Sequence, residues 1–197
     1  MPCSRITTRP SRGTLLSLIA ILLLSLAGAV SGAPDRPNLP RPISQTADSF
    51  TGKVVAVSDG DTISVLRSNR EMKVRLFAVD CPEKSQHFGM KAKEFTSELV
   101  YGQEVTVRSV DRDKYERLVA WVELPDGRLL QHELLKAGLA WYYRYFAPKE
   151  SQELGELEGA ARAASRGLWS RPDAVPPWEY RREMRREAGE RHKQGSH

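Results

Sequence analysis

Four carboxylates crowd one stretch of the 197-residue chain: Asp59, Asp61, Asp80 and Glu83. Like charges brought together repel, so such a group is costly without a cation. Oxygen donors with no paired His or Cys thiolates favour Ca²⁺, Mg²⁺ or Mn²⁺ over Zn²⁺. Asp59-Gly60-Asp61 taken alone is ordinary turn chemistry. Two arginines add to the acids. Arg75 lies inside an apolar stretch, with the parity of Phe77, Val79 and Cys81 and opposite to Val74 and Leu76. Arg117 follows the charged run Asp111 to Glu116. A lone arginine is most often a surface ion pair. Forked guanidiniums also bind phosphate oxygens two at a time. Acids holding a cation, with arginines nearby, make a kit for splitting a phosphodiester, because both cations stabilise the charge that builds in the transition state.

These side chains need a frame. Val54 to Val57 predicts a first strand ended by Ser58-Asp59-Gly60, and Thr62 to Leu66 a second, with Asp59-Gly60 as a tight hairpin signal. Met72 to Val79 predicts a third, stopped by Pro82. A meander of matched strands then puts Asp59 and Asp61 at the same end as Asp80. Ala92, Phe95 and Leu99 share one face of a helix over Gly89 to Val100. Strands follow over Val105 to Val110 and Leu118 to Leu124, then a short helix over Leu129 to Lys136 and a last one over 150–165. This order predicts a five-stranded barrel capped by about three helices; the OB-fold is one such barrel.

Composition narrows the class. With 14 Gly and 12 Pro the chain is no collagen-like or low-complexity polymer, and a single long apolar run excludes a multi-pass membrane protein. That run, Leu15 to Val30, follows Arg5, Arg9 and Arg12 and precedes small residues, which predicts a signal peptide over 1–31 cleaved on export to the periplasm or medium. An uncleaved membrane anchor is the alternative. Residues 32–49 read as a flexible leader, 50–170 as the domain, and 171–197 as a charged tail, an exposed helix or frayed end rather than a nucleic-acid arm. The net charge of +5 shrinks to +2 without residues 1–31, and the body 32–170 carries 20 basic and 20 acidic residues. Phosphate binding must therefore come from a local cluster of cations. Cys81 is the single cysteine after cleavage, so no intramolecular disulfide forms, and a buried structural role is expected for it. His87 and His132 are expected at the surface or as caps.

Asp59-Gly60-Asp61-Thr62, Val74-Arg75-Leu76-Phe77-Ala78-Val79-Asp80-Cys81-Pro82-Glu83 and Asp113-Lys114-Tyr115-Glu116-Arg117 together resemble the staphylococcal nuclease family, as do Gly138-Leu139-Ala140 and Gly167-Leu168-Trp169. The resemblance implies an OB-fold barrel and a Ca²⁺-dependent phosphodiesterase acting on single-stranded or melted DNA and RNA, leaving 3′-phosphates. It implies that Asp61, Asp80 and the backbone carbonyl of Cys81 ligate Ca²⁺, with Asp59 and Thr62 supporting them. Glu83 would activate or orient water, and Arg75 and Arg117 would hold the phosphate. Lys114 and Tyr115 match positions that touch a terminal phosphate, and Tyr143 is the favoured base-stacking aromatic. The chain departs from the family's archetype at Cys81, where the archetype has Thr, and at Glu116, where it has a small residue. A binding module without catalysis is the rival reading, since barrels of this kind often only bind. It would have no use for a full set of acids and arginines. A monomer without a stable protein partner is the default.

Overall fold

The computed structural model describes residues 48–146 and 151–194. The expected signal peptide and nearly all of the leader lie outside the described residues. Five strands close into a barrel: β1 (Ser49–Asp59), β2 (Thr62–Arg67), β3 (Arg70–Leu76), β5 (Glu104–Arg112) and β6 (Leu118–Glu123), in the order β1-β2-β3-β6-β5. All neighbours are antiparallel except β3 and β6, which pair in parallel and close the sheet. Strand β1 is longer than its apolar core predicts. Register shifts after Val54 and Val57 bend it, so its first half pairs with β5 and its second with β2. Val54, Ile63, Val65, Val74, Val105, Val107 and Val122 are fully shielded from solvent and fill the interior. Alternation along β3 puts Val74 and Leu76 inside and leaves Arg75 outside.

The predicted third strand breaks in two. Phe77 N–H still donates to Ala120 O at 2.9 Å, but Ala78 takes a left-handed conformation at φ 58° and turns the chain out of the barrel. Val79–Asp80 then forms a separate strand, β4, paired with β7 (Trp141–Tyr142). Phe77, Ala78 and Val79 are all buried, so the apolar run continues through the kink and conceals it.

Helices α1 (Gly89–Val100), α2 (Leu130–Lys136) and α3 (Gln152–Ala163) cap the barrel. Ala92 and Val100 of α1, Leu130, Leu134 and Leu135 of α2 and Leu154 of α3 extend its core. Gln131 is buried with them and bridges two barrel groups, donating to Ala120 O at 2.9 Å and accepting from Val122 N–H. The loops at Gly138 and Gly167 lie so close that a Cβ on Gly138 would sit 2.3 Å from Arg166 O, and both glycines have positive φ. A fourth helix, α4 (Pro177–Gln194), forms from the charged tail. Pro177 opens it, where a missing N–H costs nothing. Among the described residues no helix is long and apolar enough to cross a membrane.

Candidate active site

The β1–β2 turn is pinned from below. Thr96 on α1 donates its hydroxyl to Gly60 O at 2.6 Å. A Cβ on Gly60 would meet Ala92 Cβ at 2.8 Å and Cys81 Sγ at 2.9 Å, so glycine lets helix, turn and loop converge. Leu76 N–H donates to Asp61 O at 2.9 Å, tying the turn to the end of β3. Asp61 is thereby fixed, and its carboxylate is buried. Its Oδ2 accepts Cys81 N–H at 2.7 Å, and its Oδ1 accepts Thr62 Oγ1–H at 3.1 Å and Arg75 Nη1–H at 2.7 Å.

Asp80 is fully shielded as well, and its Oδ1 accepts from Arg75 Nη2. The Ala78 kink is what swings Asp80 back over Arg75, five residues behind it. One guanidinium therefore spans two buried carboxylates. Burial pushes the Asp61 carboxyl above its usual range; Arg75 opposes this and the charge of Asp80 adds to it. Burial works against the charge on Arg75 too, but the two aspartates outweigh it and raise its pKa. Cys81 is a buried free thiol, pushed well up by burial and by the neighbouring acids, as expected of a structural cysteine.

Glu83 stands at the rim, about one third exposed. Its partner comes from an unexpected place. Arg181, on the first turns of α4, donates from Nη1 to Glu83 Oε1 at 2.7 Å and to Asp80 Oδ1 at 3.2 Å, and from Nη2 to Asp80 Oδ2 at 2.7 Å. The tail was expected as an exposed helix or frayed end. The helix forms, but one edge of it docks on the acids while Arg182, Arg185 and Arg186 stay exposed. No sequence signal marked Arg181, because the tail's i,i+4 pattern of Arg and Glu treats every arginine alike.

The second basic group is built separately. Arg117 ends a tight turn, where its Nε and Nη2 donate to Asp113 Oδ2 at 2.7 and 2.6 Å. Asp113 also caps the turn by accepting from Tyr115 N–H and Arg117 N–H, and these bonds hold its carboxyl below the usual range despite partial burial. Lys114 and Arg117 both lie over the Tyr115 ring, 5.0 and 5.4 Å from its centre. Val119 is the register partner of Arg75, so Arg117, two residues earlier, projects from the same face of the sheet. The fold thus joins Asp61, Thr62, Arg75, Asp80, Cys81 and Glu83 in one network and puts Lys114, Tyr115 and Arg117 in a neighbouring one.

Asp59 belongs to neither. It pairs with Lys84 at 3.6 Å at the end of β1. Tyr143 is half-buried and stacks on Trp178 of α4 at 5.0 Å and 28°. Trp141 packs edge-on against Trp169 and Trp178. His132 corrects the expectation of a surface position. It is buried in α2 with its ring against the Trp121 edge and Nδ1 3.7 Å from Glu153, and burial lowers its pKa. His87 lies on the Phe88 ring.

Among the described residues no three His, Cys, Asp or Glu side chains converge as a ready metal cage. The donor chemistry nonetheless fits a hard divalent cation. Asp61 and Asp80 are two buried carboxylates whose mutual repulsion, offset here by Arg75, a bound cation would also relieve. Asp61 is held rigidly by three donors, and the far oxygen of Asp80 is covered by Arg181, a tail residue.

The family model described as staphylococcal nuclease homologue matches residues 73–171, which include Arg75, Asp80, Glu83 and Arg117. An Escherichia coli O157:H7 protein named "Uncharacterized endonuclease" is 41% identical over 130 residues, covering 66% of this chain and 84% of that protein. A Shigella flexneri protein named "Micrococcal nuclease" is 37% identical over 141 residues, covering 68% and 81%. A "Probable staphylococcal-like nuclease" from Oryza sativa subsp. japonica is 34% identical over 116 residues, covering 59% of this chain and 34% of its own length. With a closed five-stranded barrel, paired buried aspartates and a family match across half its length, the chain belongs to the staphylococcal nuclease homologues.

Proposed function

We propose that the chain is an exported, Ca²⁺-dependent nuclease that hydrolyses phosphodiester bonds in single-stranded or melted DNA and RNA. Family membership and the endonuclease and nuclease names of its relatives support nuclease chemistry. The observation that carries the finer reading is the buried pair Asp61 and Asp80 spanned by Arg75, with Glu83 at its rim. Ca²⁺ held by Asp61, Asp80 and the Cys81 carbonyl would supply Lewis-acid stabilisation of charge on a phosphoryl oxygen. Thr62 keeps the Asp61 carboxylate oriented.

The remaining work falls to the chain's own side chains. Glu83 takes a proton from the attacking water, or orients that water, at its exposed carboxylate edge. Arg75 and Arg117 present their N–H groups to the phosphate and stabilise the negative charge that grows on its oxygens. The bond from the 5′-oxygen to phosphorus breaks, and the product keeps a 3′-phosphate. Lys114 and Tyr115, beside Arg117, meet a terminal phosphate, and Tyr143 offers a ring for one base.

The test is hydrolysis of denatured DNA and of RNA by the chain cleaved after residue 31, with Ca²⁺ and with chelator. Cutting should vanish with chelator and return with Ca²⁺. Glu83→Gln should lower the rate by about 10²–10⁴-fold with the far-ultraviolet circular dichroism unchanged. Full activity of Glu83→Gln would refute the role given to Glu83.

A further inference from the structure

Three residues assigned to the site, Asp80, Glu83 and Tyr143, face residues of the tail. Arg181 covers the outer oxygen of Asp80 and one oxygen of Glu83. Trp178 lies flat on Tyr143. Two further bonds strap the same segment across the 83–86 loop: Ser85 Oγ to Tyr180 Oη at 2.9 Å, and Gln86 Nε2–H to Val175 O at 3.1 Å. A shallow cavity at the site is walled on one side by Glu83 and Ser85 and on the other by Tyr180, Arg181, Met184 and Arg185. All these tail residues lie beyond residue 171, where the family match ends.

We propose that α4 is a built-in occupant of the active site: Arg181 competes with the divalent cation for Asp80 and ties up the Glu83 carboxylate, and Trp178 competes with a substrate base for Tyr143. The inference rests on the nuclease reading of those acids. Its logic is chemical mimicry. A guanidinium brings positive charge to the same carboxylate oxygens that a hard cation needs, and it engages their lone pairs by hydrogen bonds. A flat indole on Tyr143 uses the ring face that a base would use. All three bonds of Arg181 end on carboxylates.

The latch is also built to open. The Arg181 side chain is one third exposed, and Ser85, Tyr180 and Gln86 meet at the surface, so water can replace each bond. The acids beneath stay assembled without it, because Asp61 is held by Cys81, Thr62 and Arg75. Removing the tail's grip therefore frees a formed site. A latch closed about nine-tenths of the time weakens cation binding about tenfold, since only the open fraction binds.

The experiment compares the full chain with Arg181→Ala and Trp178→Ala by calorimetric titration with Ca²⁺ and by hydrolysis of single-stranded DNA. Arg181→Ala should bind Ca²⁺ about tenfold more tightly or better, and cut faster at limiting Ca²⁺ with the difference fading at saturation. Trp178→Ala should lower KM with kcat little changed. In the unaltered chain, Ca²⁺ with a short oligonucleotide should speed tryptic cleavage at Arg182 and Arg185 by freeing the helix. Equal Ca²⁺ affinity in Arg181→Ala, or a slower rate at saturating Ca²⁺, would overturn the proposal and leave the nuclease reading intact. Tryptic protection unchanged by Ca²⁺ and oligonucleotide would overturn it without any variant. Failure of both the unaltered chain and Arg181→Ala to bind Ca²⁺ would overturn the reading of the acids and the proposal with it.

Discussion

Asp80 is bound by two arginines. Arg75 rises from β3 five residues before it, and Arg181 arrives from α4 101 residues after it. Arg75 is four-fifths shielded and spans Asp61 as well, so it belongs to the barrel's own charge balance. Arg181 is more exposed and pairs with Asp80 and the rim residue Glu83. The same chemistry thus appears once as a fixed part of a buried network and once as a detachable cover. Connectivity makes the difference: Arg75 spans both buried carboxylates from within the barrel, whereas Arg181 reaches Asp80 from a separate helix and leaves Arg75 to compensate it.

Replacing each arginine separates the two cases, and the first has the largest expected effect. Arg75→Ala should cost about 3 kcal/mol or more in the absence of Ca²⁺, since it leaves Asp61 and Asp80 buried together with less compensating charge. Urea unfolding in chelator measures this. Ca²⁺ should restore part of the loss, because a cation that binds the folded chain stabilises it. Arg181→Ala should cost less than Arg75→Ala in the same assay, because Arg75 still compensates Asp80. Equal losses for both variants would mean that α4 is as integral to the site as β3.

This contrast also explains what the sequence could disclose. Arg75 was legible because a charged residue inside an apolar strand breaks an expected alternation. Asp61 and Asp80 were legible as acids at a hairpin and at the end of an apolar stretch. The helices over Gly89–Val100 and Gln152–Ala163 followed from the spacing of their apolar faces. The kink at Ala78 was hidden, because a left-handed alanine flanked by buried apolar residues leaves no local mark. Arg181 was hidden for a different reason. Its role depends on the direction in which the chain re-enters after Trp169, and that direction is set by the contacts of Trp141, Trp169 and Trp178 rather than by any pattern near Arg181.

Arg117 is an intermediate case: its carboxylate partner is only four residues away and one fifth exposed. Asp113→Asn should cost about 1 kcal/mol near neutral pH, and should weaken substrate binding more than it slows turnover, because Arg117 loses its orientation but keeps its charge. The pH dependence has a definite sign. Asp113 has a folded pKa below its ordinary 3.8, so its contribution is present above that value and disappears as pH falls through the lower folded one. The stability gap between the unaltered chain and Asp113→Asn should therefore close only below about pH 3.8.

The smallest expected effect tests the turn that presents Arg117. Glu116 has φ 61°, and its N–H donates to Asp113 O at 3.0 Å. A left-handed conformation costs an L-residue with a Cβ about 1–2 kcal/mol, and glycine avoids this. Glu116 therefore bears a strain that glycine would not. Glu116→Gly should relieve it, but glycine's freer unfolded chain returns about 0.4–1 kcal/mol of the gain. A net stabilisation of about 0.5 kcal/mol should appear in urea unfolding. Removing the carboxylate beside Arg117 should also lower KM for a polyanionic substrate, most visibly at low salt, where a single charge is least screened. Glu116→Gln separates the two effects: it should share the KM change and lack the stabilisation, since it removes the charge and keeps the strained backbone.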